Sequence, residues 1–195
     1  VRVSGTDAVA VYTAGWRVIF VALVPLIAIA MAEISVAGAA FGARRYDNLS
    51  IIHSYSTRLG LAIGAATALI TGLFAPQITT FFTYSADSAH LAPAMVAFMH
   101  AMCLFYPFVS PGIMSACLFQ GAGKGMTSLV LNLLRDVVLV TLMAYVLGIV
   151  LGLGQRGIWW GIVFGNISGS LASYLWARLY ISRVIKDQEG RAEGI

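Results

Sequence analysis

Charge is scarce in this sequence. Only 10% of the 195 residues are Asp, Glu, Lys or Arg, 8 acids against 12 bases, whereas soluble domains carry about 25%. A chain so poor in charge cannot cover its own surface with polar groups, which excludes a soluble enzyme or a nucleic-acid-binding module. The net charge of +4 does not reverse this, because no block of bases is longer than Arg44-Arg45; no nucleic-acid partner is expected. Cysteine is limited to Cys103 and Cys117, both inside apolar sequence, where they read as small hydrophobes rather than a disulfide or metal pair. His53, His90 and His100 lack metal-ligand spacing, and the chain contains no HExxH, GxSxG, GxGxxG or P-loop pattern. Neither catalysis nor a bound cofactor or metal is therefore expected. A charged n-region followed by a short apolar stretch and a cleavage site is also missing. With Val1 in first place, the sequence reads as a piece of a longer polypeptide.

Apolar sequence fills the space that charge leaves: 59% of the residues are hydrophobic. Positions 59–86, 88–123, 137–155 and 157–177 contain no ionised side chain apart from histidine, and about 20 apolar residues as a helix cross a bilayer. The expected fold is an all-α membrane protein, a polytopic transmembrane bundle of about five helices. Charges and turn residues bound the spans at about 8–42, 49–74, 89–121, 126–152 and 158–183, one bundle over 1–185, with a charged, frayed cytoplasmic tail at 186–195. Residues 75–84 are polar enough to leave the hydrocarbon. One side of the membrane collects Arg44, Arg45, Lys124, Arg183, Lys186 and Arg191, the other only Arg2 and Arg156. Basic residues favour the cytoplasm, so the amino end is expected outside and the carboxyl end inside the cell (plasma or inner) membrane.

Within the spans, Pro25, Pro107 and Pro111 each remove a backbone donor and crowd the preceding turn, so kinks are expected there. They either shape packing or line a cavity. Gly157, Gly161, Gly165 and Gly169 recur every four residues, making a slanted groove along which another helix can approach closely. Trp159, Trp160 and Trp176 sit near the ends of that span, as indoles at headgroups do.

Few polar groups lie deep. Glu33 is about nine residues, on the order of 14 Å, from the end of its span. It is either a proton-titrating or substrate-facing carboxylate, or a structural acid bonded to a neighbouring helix or reaching an aqueous vestibule. Arg135 and Asp136 fall inside the fourth span. Sequence neighbours point about 100° apart on an α-helix, so they are not expected to neutralise each other; Asn132 and Asp136 share a face instead, and Arg135 pairs with another helix, Glu33 being the candidate.

The segment Gly38-Ala-Ala-Phe-Gly42-Ala43-Arg44-Arg45-Tyr46-Asp47, then Leu118-Phe-Gln120-Gly121-Ala-Gly123-Lys124-Gly125, Leu134-Arg135-Asp136, and Leu151-Gly-Leu-Gly-Gln-Arg-Gly157-Ile-Trp159-Trp160-Gly161 resemble the carboxyl-terminal lobe of a multidrug and toxic compound extrusion (MATE) transporter, of the DinF-like branch. The likeness covers about residues 4–185. It implies part of a twelve-helix, two-lobe transporter, with the amino-terminal lobe of the same polypeptide and membrane lipid as partners. It also implies export of cationic or amphipathic small molecules in exchange for H+ or Na+ by alternating access. Where some members of that family carry an acid in the tenth helix, the matching span 89–121 has none, and the main coupling carboxylate of DinF-like relatives belongs to the first helix. Glu33, Asn132, Arg135 and Asp136 are then candidate cavity or coupling groups. Two other readings remain: a flippase for lipid-linked oligosaccharides or polysaccharides, which would need a more basic cavity, and a non-transporting membrane scaffold.

Overall fold

A computed structural model describes residues 5–83 and 89–193; Arg2, Ser4 and Tyr84 lie outside them. Among the described residues the chain is helical, without strands. Helix α1 spans Gly5–Gly42, roughly 57 Å at 1.5 Å per residue, more than the roughly 30 Å of a bilayer's hydrocarbon core. It passes through Pro25 without interruption, so the proline expected to kink the span leaves it a single helix. Ala43–Arg45 turn the chain, with Arg44 at φ 57°, and α2 (Tyr46–Leu73) returns alongside α1. The stretch after α2, expected to leave the hydrocarbon, begins as a further helix, α3 (Ala75–Phe82): Pro76 sits in its first turn, where the missing N–H costs nothing.

A short turn at Ala89–Leu91 leads into α4 (Ala92–Met102), which meets α5 (Phe105–Gly121) at a bend of 49°. The break falls at Cys103 and Leu104, one turn ahead of Pro107. Proline at 107 offers no N–H to the Cys103 carbonyl and its ring crowds that oxygen, so the sequence places the bend. Pro111 lies inside α5 without breaking it, and the Ser115 hydroxyl donates to the Pro111 carbonyl at 2.6 Å. Of the three prolines expected to kink, only Pro107 coincides with an interruption.

The fourth long segment comprises α6 (Gly125–Asn132), a π-helical stretch Leu133–Leu139, α7 (Val140–Tyr145) and a second π-helical stretch Val146–Val150. Helix α8 runs from Gly154 to Glu193. Its last residues, expected to fray, stay helical: Lys186, Gln188 and Glu189 are good helix formers, and the Gln188 amide donates to the Arg44 carbonyl at 3.3 Å. Among the described residues α1, α2 and Gly125–Val150 are each long and apolar enough to cross a membrane, and the bent α4–α5 pair makes a fourth such unit. Helix α8 is long but less apolar, because Gly165, Asn166, Ser168, Gly169, Ser170 and Ser173 occupy its middle.

Helix α5 forms the centre, packed by α1, α2 and α8, while α7 packs on α8. One core cluster joins Ile19, Leu23 and Leu26 of α1 to Phe98, Met102, Phe105, Tyr106 and Met114, and to Trp159 and Val163 of α8. Trp159, expected at the headgroups, is instead 5% exposed with its ring edge-on to Phe98; Trp160 and Trp176 are exposed. The second cluster, around Leu49, Leu118, Phe119 and Ile181, lies toward the other end. The outward faces carry Val21, Val24, Leu73, Phe81 and Met126, an apolar surface suited to lipid tails.

The glycine series of α8 abuts the fourth segment. An added Cβ at Gly165 would lie 2.6 Å from the Val140 Cα, and one at Gly157 or Gly161 would strike the backbone of Leu147 or Ala144. The two helices therefore touch backbone to backbone, in the manner of small-residue contacts in lipid.

Candidate functional site

Two polar features interrupt this apolar bundle. The first joins α1 and α2. Because the Ala43–Arg45 turn folds α2 back along α1, Glu33 faces His53, with Oε1 3.0 Å from Nδ1 and both side chains fully buried. Beyond them the His53 ring stacks on Tyr174 of α8, centroids 5.4 Å apart and planes 28° apart. Glu33 Oε2, His53 Nε2, the Thr57 hydroxyl and, on α5, the Ser110 hydroxyl are buried without a hydrogen-bond partner among the described residues. Buried polar atoms are nearly always paired, so these four, on α1, α2 and α5, set this part of the bundle apart from its apolar core.

The expected Glu33–Arg135 pairing does not occur. Arg135 is 6% exposed; its Nε and Nη2 donate to Asp136 Oδ1 and Oδ2 at 2.8 and 3.0 Å. The two neighbours expected to point apart thus form a bidentate pair. They lie in the π-helical stretch Leu133–Leu139, whose wider turn relaxes the angular rule of an α-helix, and the long arginine side chain folds back along it. Arg135 fills space that two glycines leave, lying against Gly112 of α5 and Gly169 of α8. Asn132 is half-buried and, among the described residues, no hydrogen bond joins it to Asp136.

The second feature is an open groove of about 390 Å³ between α2, α5 and α8, lined by Ser54, Thr57, Arg58, Leu61, Phe108, Pro111, Ile167, Ser170, Leu171, Tyr174 and Arg178. Arg178 Nη1 donates to the Ser54 hydroxyl at 3.1 Å across the opening. The lining is apolar toward Leu61, Phe108 and Ile167 and basic at Arg58 and Arg178, with no acid among the residues that form it. Of the residues expected from sequence to line a cavity, Pro111 does so here; Glu33 is separated from this groove by His53 and Tyr174. Among the described residues no three His, Cys, Asp or Glu side chains converge as metal ligands.

Sequence reasoning did not assign His53 or Tyr174 to a site, nor bring Arg58 and Arg178 to one groove. A signal existed for the first: His53, Ser56, Thr57, Gly60 and Gly64 follow three- and four-residue spacing and lie on one buried face of α2. Nothing local ties Glu33 to His53 or His53 to Tyr174, because those contacts span turns and whole helices.

A strandless bundle with apolar outer faces, a dry acid–base pair and an amphipathic groove between helices defines a lobe of a multi-pass helical membrane protein. The chain belongs to the MatE family, whose model matches residues 1–150. It is similar to an outward-facing multidrug resistance MATE family transporter of the MOP superfamily, with 34% identity and a TM-score of 0.91 over 94% of this chain and 41% of that one. It is also similar to an inward-facing structure so described, with 32% identity and a TM-score of 0.88 over 92% of this chain and 43% of that one. A third match is a MOP superfamily transporter from Pyrococcus furiosus whose binding pocket is described as having reverse polarity, suggesting a different function; it shares 34% identity at a TM-score of 0.90 over 93% of this chain and 40% of that one. A search of curated proteins finds no match. The chain thus spans about two fifths of the length of the transporters it resembles.

Proposed function

We propose that this chain is one lobe of a secondary active exporter that moves cationic or amphipathic small molecules in exchange for H+ or Na+ by alternating access, the opposite lobe being the amino-terminal part of the same polypeptide. The observation that carries the reading is that the lobe superposes on outward-facing and inward-facing transporters with TM-scores of 0.91 and 0.88. A unit that keeps its internal packing in both states is what rocking of one lobe against the other requires. The sequence motifs support the DinF-like branch within this reading, and the basic-residue bias supports an amino end outside and a carboxyl end in the cytoplasm. The test is ethidium export by the full-length protein in proteoliposomes under an imposed H+ or Na+ gradient. Export that persists when both gradients are collapsed rejects the antiporter.

A second reading concerns the substrate's head group. Arg58 and Arg178 face the groove without an acid beside them, which favours an anionic amphiphile over a cation at that position. The Pyrococcus furiosus relative with a pocket of reverse polarity supports keeping this reading, and a lipid-linked oligosaccharide flippase, whose cargo carries pyrophosphate, is its extreme form. Running an anionic fluorescent amphiphile beside ethidium separates the two. A scaffold without transport has no use for a dry acid–base pair, which is costly to insert in a bilayer.

A further inference from the structure

We infer that Glu33 and His53 form a proton-carrying site within this lobe, linked to the groove between α2, α5 and α8 through the Tyr174 ring and the Thr57 hydroxyl. The inference rests on the antiport reading only for the use made of the proton; the site itself stands on geometry. Both side chains are fully buried and 3.0 Å apart. With Nε2 carrying the ring proton of a neutral imidazole, one further proton shared between Nδ1 and Oε1 makes the pair neutral overall, on whichever of the two atoms it sits. Removing that proton leaves a net negative charge in a dry place, and adding a second leaves a net positive one, each strongly unfavourable without compensation. The shared proton is therefore retained until a change in the local field, such as the entry of a charged ligand, compensates one of those charges, and only then does it exchange.

The remaining valences point the same way. Glu33 Oε2, His53 Nε2 and the Thr57 hydroxyl have no partner among the described residues, and Thr57 follows His53 by one helical turn and also lines the groove. Unpaired polar atoms thus occur at the carboxyl, on its histidine partner and on a residue that lines the groove, the groups a proton path would use. An alkali cation fits less well, because hard cations take several oxygen ligands and here an imidazole occupies one side of the carboxylate. The surroundings add little compensating charge. From α5 come the Ser110 hydroxyl and the Cys117 thiol, which lies within electrostatic reach of Glu33. From α8 comes Tyr174, while Arg178 is held at the groove mouth by Ser54; Arg58 of α2 is exposed on the groove, and Arg135 is neutralised by Asp136.

Tyr174 connects the two features because one face of its ring stacks on His53 while the residue also lines the groove. A ligand that displaces Tyr174 changes the packing of His53 and so the proton affinity of the pair; by reciprocity the proton changes ligand affinity by the same factor.

The test uses the full-length protein reconstituted in lipid. Infrared difference spectra recorded through a pH titration should contain a carboxyl signal that is lost in Glu33→Gln, retained with a displaced midpoint in His53→Gln, and displaced again in Tyr174→Leu. A signal unchanged in Glu33→Gln overturns the site, and a midpoint unchanged in Tyr174→Leu overturns the link. Where Glu33→Gln does not accumulate, Glu33→Asp serves, with a shifted midpoint expected and an unshifted one counting against the site. Pyranine-reported proton flux during ethidium movement separates this from the antiport reading. Ethidium movement indifferent to both gradients, with the Glu33 signal present, sinks the antiporter alone. Proton-coupled movement that is unaltered by Glu33→Gln sinks this inference alone.

Discussion

Replacing Gly165 by alanine should loosen the α7–α8 contact more than its single added methyl suggests. At this position a Cβ would stand 2.6 Å from the Val140 Cα, 2.8 Å from the Leu139 carbonyl oxygen and 2.9 Å from the Val140 nitrogen. Carbon contacts settle at about 3.5–4.0 Å, so α7 must retreat by roughly 1 Å, and its neighbours in the contact move with it. No flexible side chain tip can turn aside, because every nearby atom is backbone. Overpacking of this kind costs about 1–3 kcal/mol, opposed by the gain of about 1 kcal/mol in helix propensity when glycine becomes alanine. Gly42, at the end of α1, has nothing within 4 Å of its added Cβ and serves as the reference. Relative to Gly42→Ala, Gly165→Ala should be less stable by about 1–3 kcal/mol, a factor of roughly 5 to 150 in the folding equilibrium. Unfolding of the full-length protein in mixed dodecylmaltoside and SDS micelles, followed by tryptophan fluorescence, measures the difference. Equal midpoints for the two variants would refute the claim that α7 and α8 are held by backbone contact.

Three further outcomes follow from the same geometry. Pro107→Ala should restore a donor to the Cys103 carbonyl and reduce the 49° bend, lengthening the distance between spin labels at positions 90 and 120 in pulsed electron resonance, while Pro111→Ala leaves it unchanged; an unaltered distance in the first variant would locate the cause of the bend elsewhere. Arg135→Ala should destabilise by about 2–4 kcal/mol, because it empties a packed site between Gly112 and Gly169, whereas Arg135→Met, which refills most of the volume, should cost less than about 1.5 kcal/mol; thermal unfolding distinguishes a packing role from a charge role. The double variant Arg58→Glu and Arg178→Glu should abolish binding of an anionic amphiphile and spare the fold, since both side chains are exposed on the groove; retained binding, read by fluorescence anisotropy, would move the anionic site elsewhere.

Hydropathy made the helical segments and most of their ends legible, because lipid imposes a simple demand on every residue of a span. The four-residue glycine series was legible for a related reason: a missing side chain every turn has little use except close approach. The interior was harder. The expectation that Arg135 and Asp136 diverge assumed α-helical geometry, and nothing in Leu133–Leu139 announces a π-helical stretch. Glu33 stood out as a lone acid, yet its partner lay across a turn and was a histidine, a residue that carries no formal charge in a simple count. Trp159 shows the limit of position alone, since a tryptophan near the end of a span can still be drawn into the core by an aromatic neighbour such as Phe98. Pro25 is a similar case: the residue permits a break but does not compel one when the rest of α1 is packed on α2 and α5.

The distribution of close contacts also explains why the groove lies where it does. One face of α8 is joined to the Gly125–Val150 segment along three successive turns, at Gly157, Gly161 and Gly165, by backbone contacts that leave no slack. On the face toward α2, the hydrogen bonds to Ser54 and Ser50, at 3.1 and 3.5 Å, are made by the long, exposed Arg178 side chain, which can reorient. A ligand entering between α2 and α8 therefore meets the softer of the two boundaries. Tyr174, stacked on His53, lies at that boundary, whereas α7 stays joined to α8 on the other side. The backbone contacts with α7 and the side-chain contacts with α2 thus occupy different faces of α8, which is the arrangement the proposed link between groove and buried pair requires.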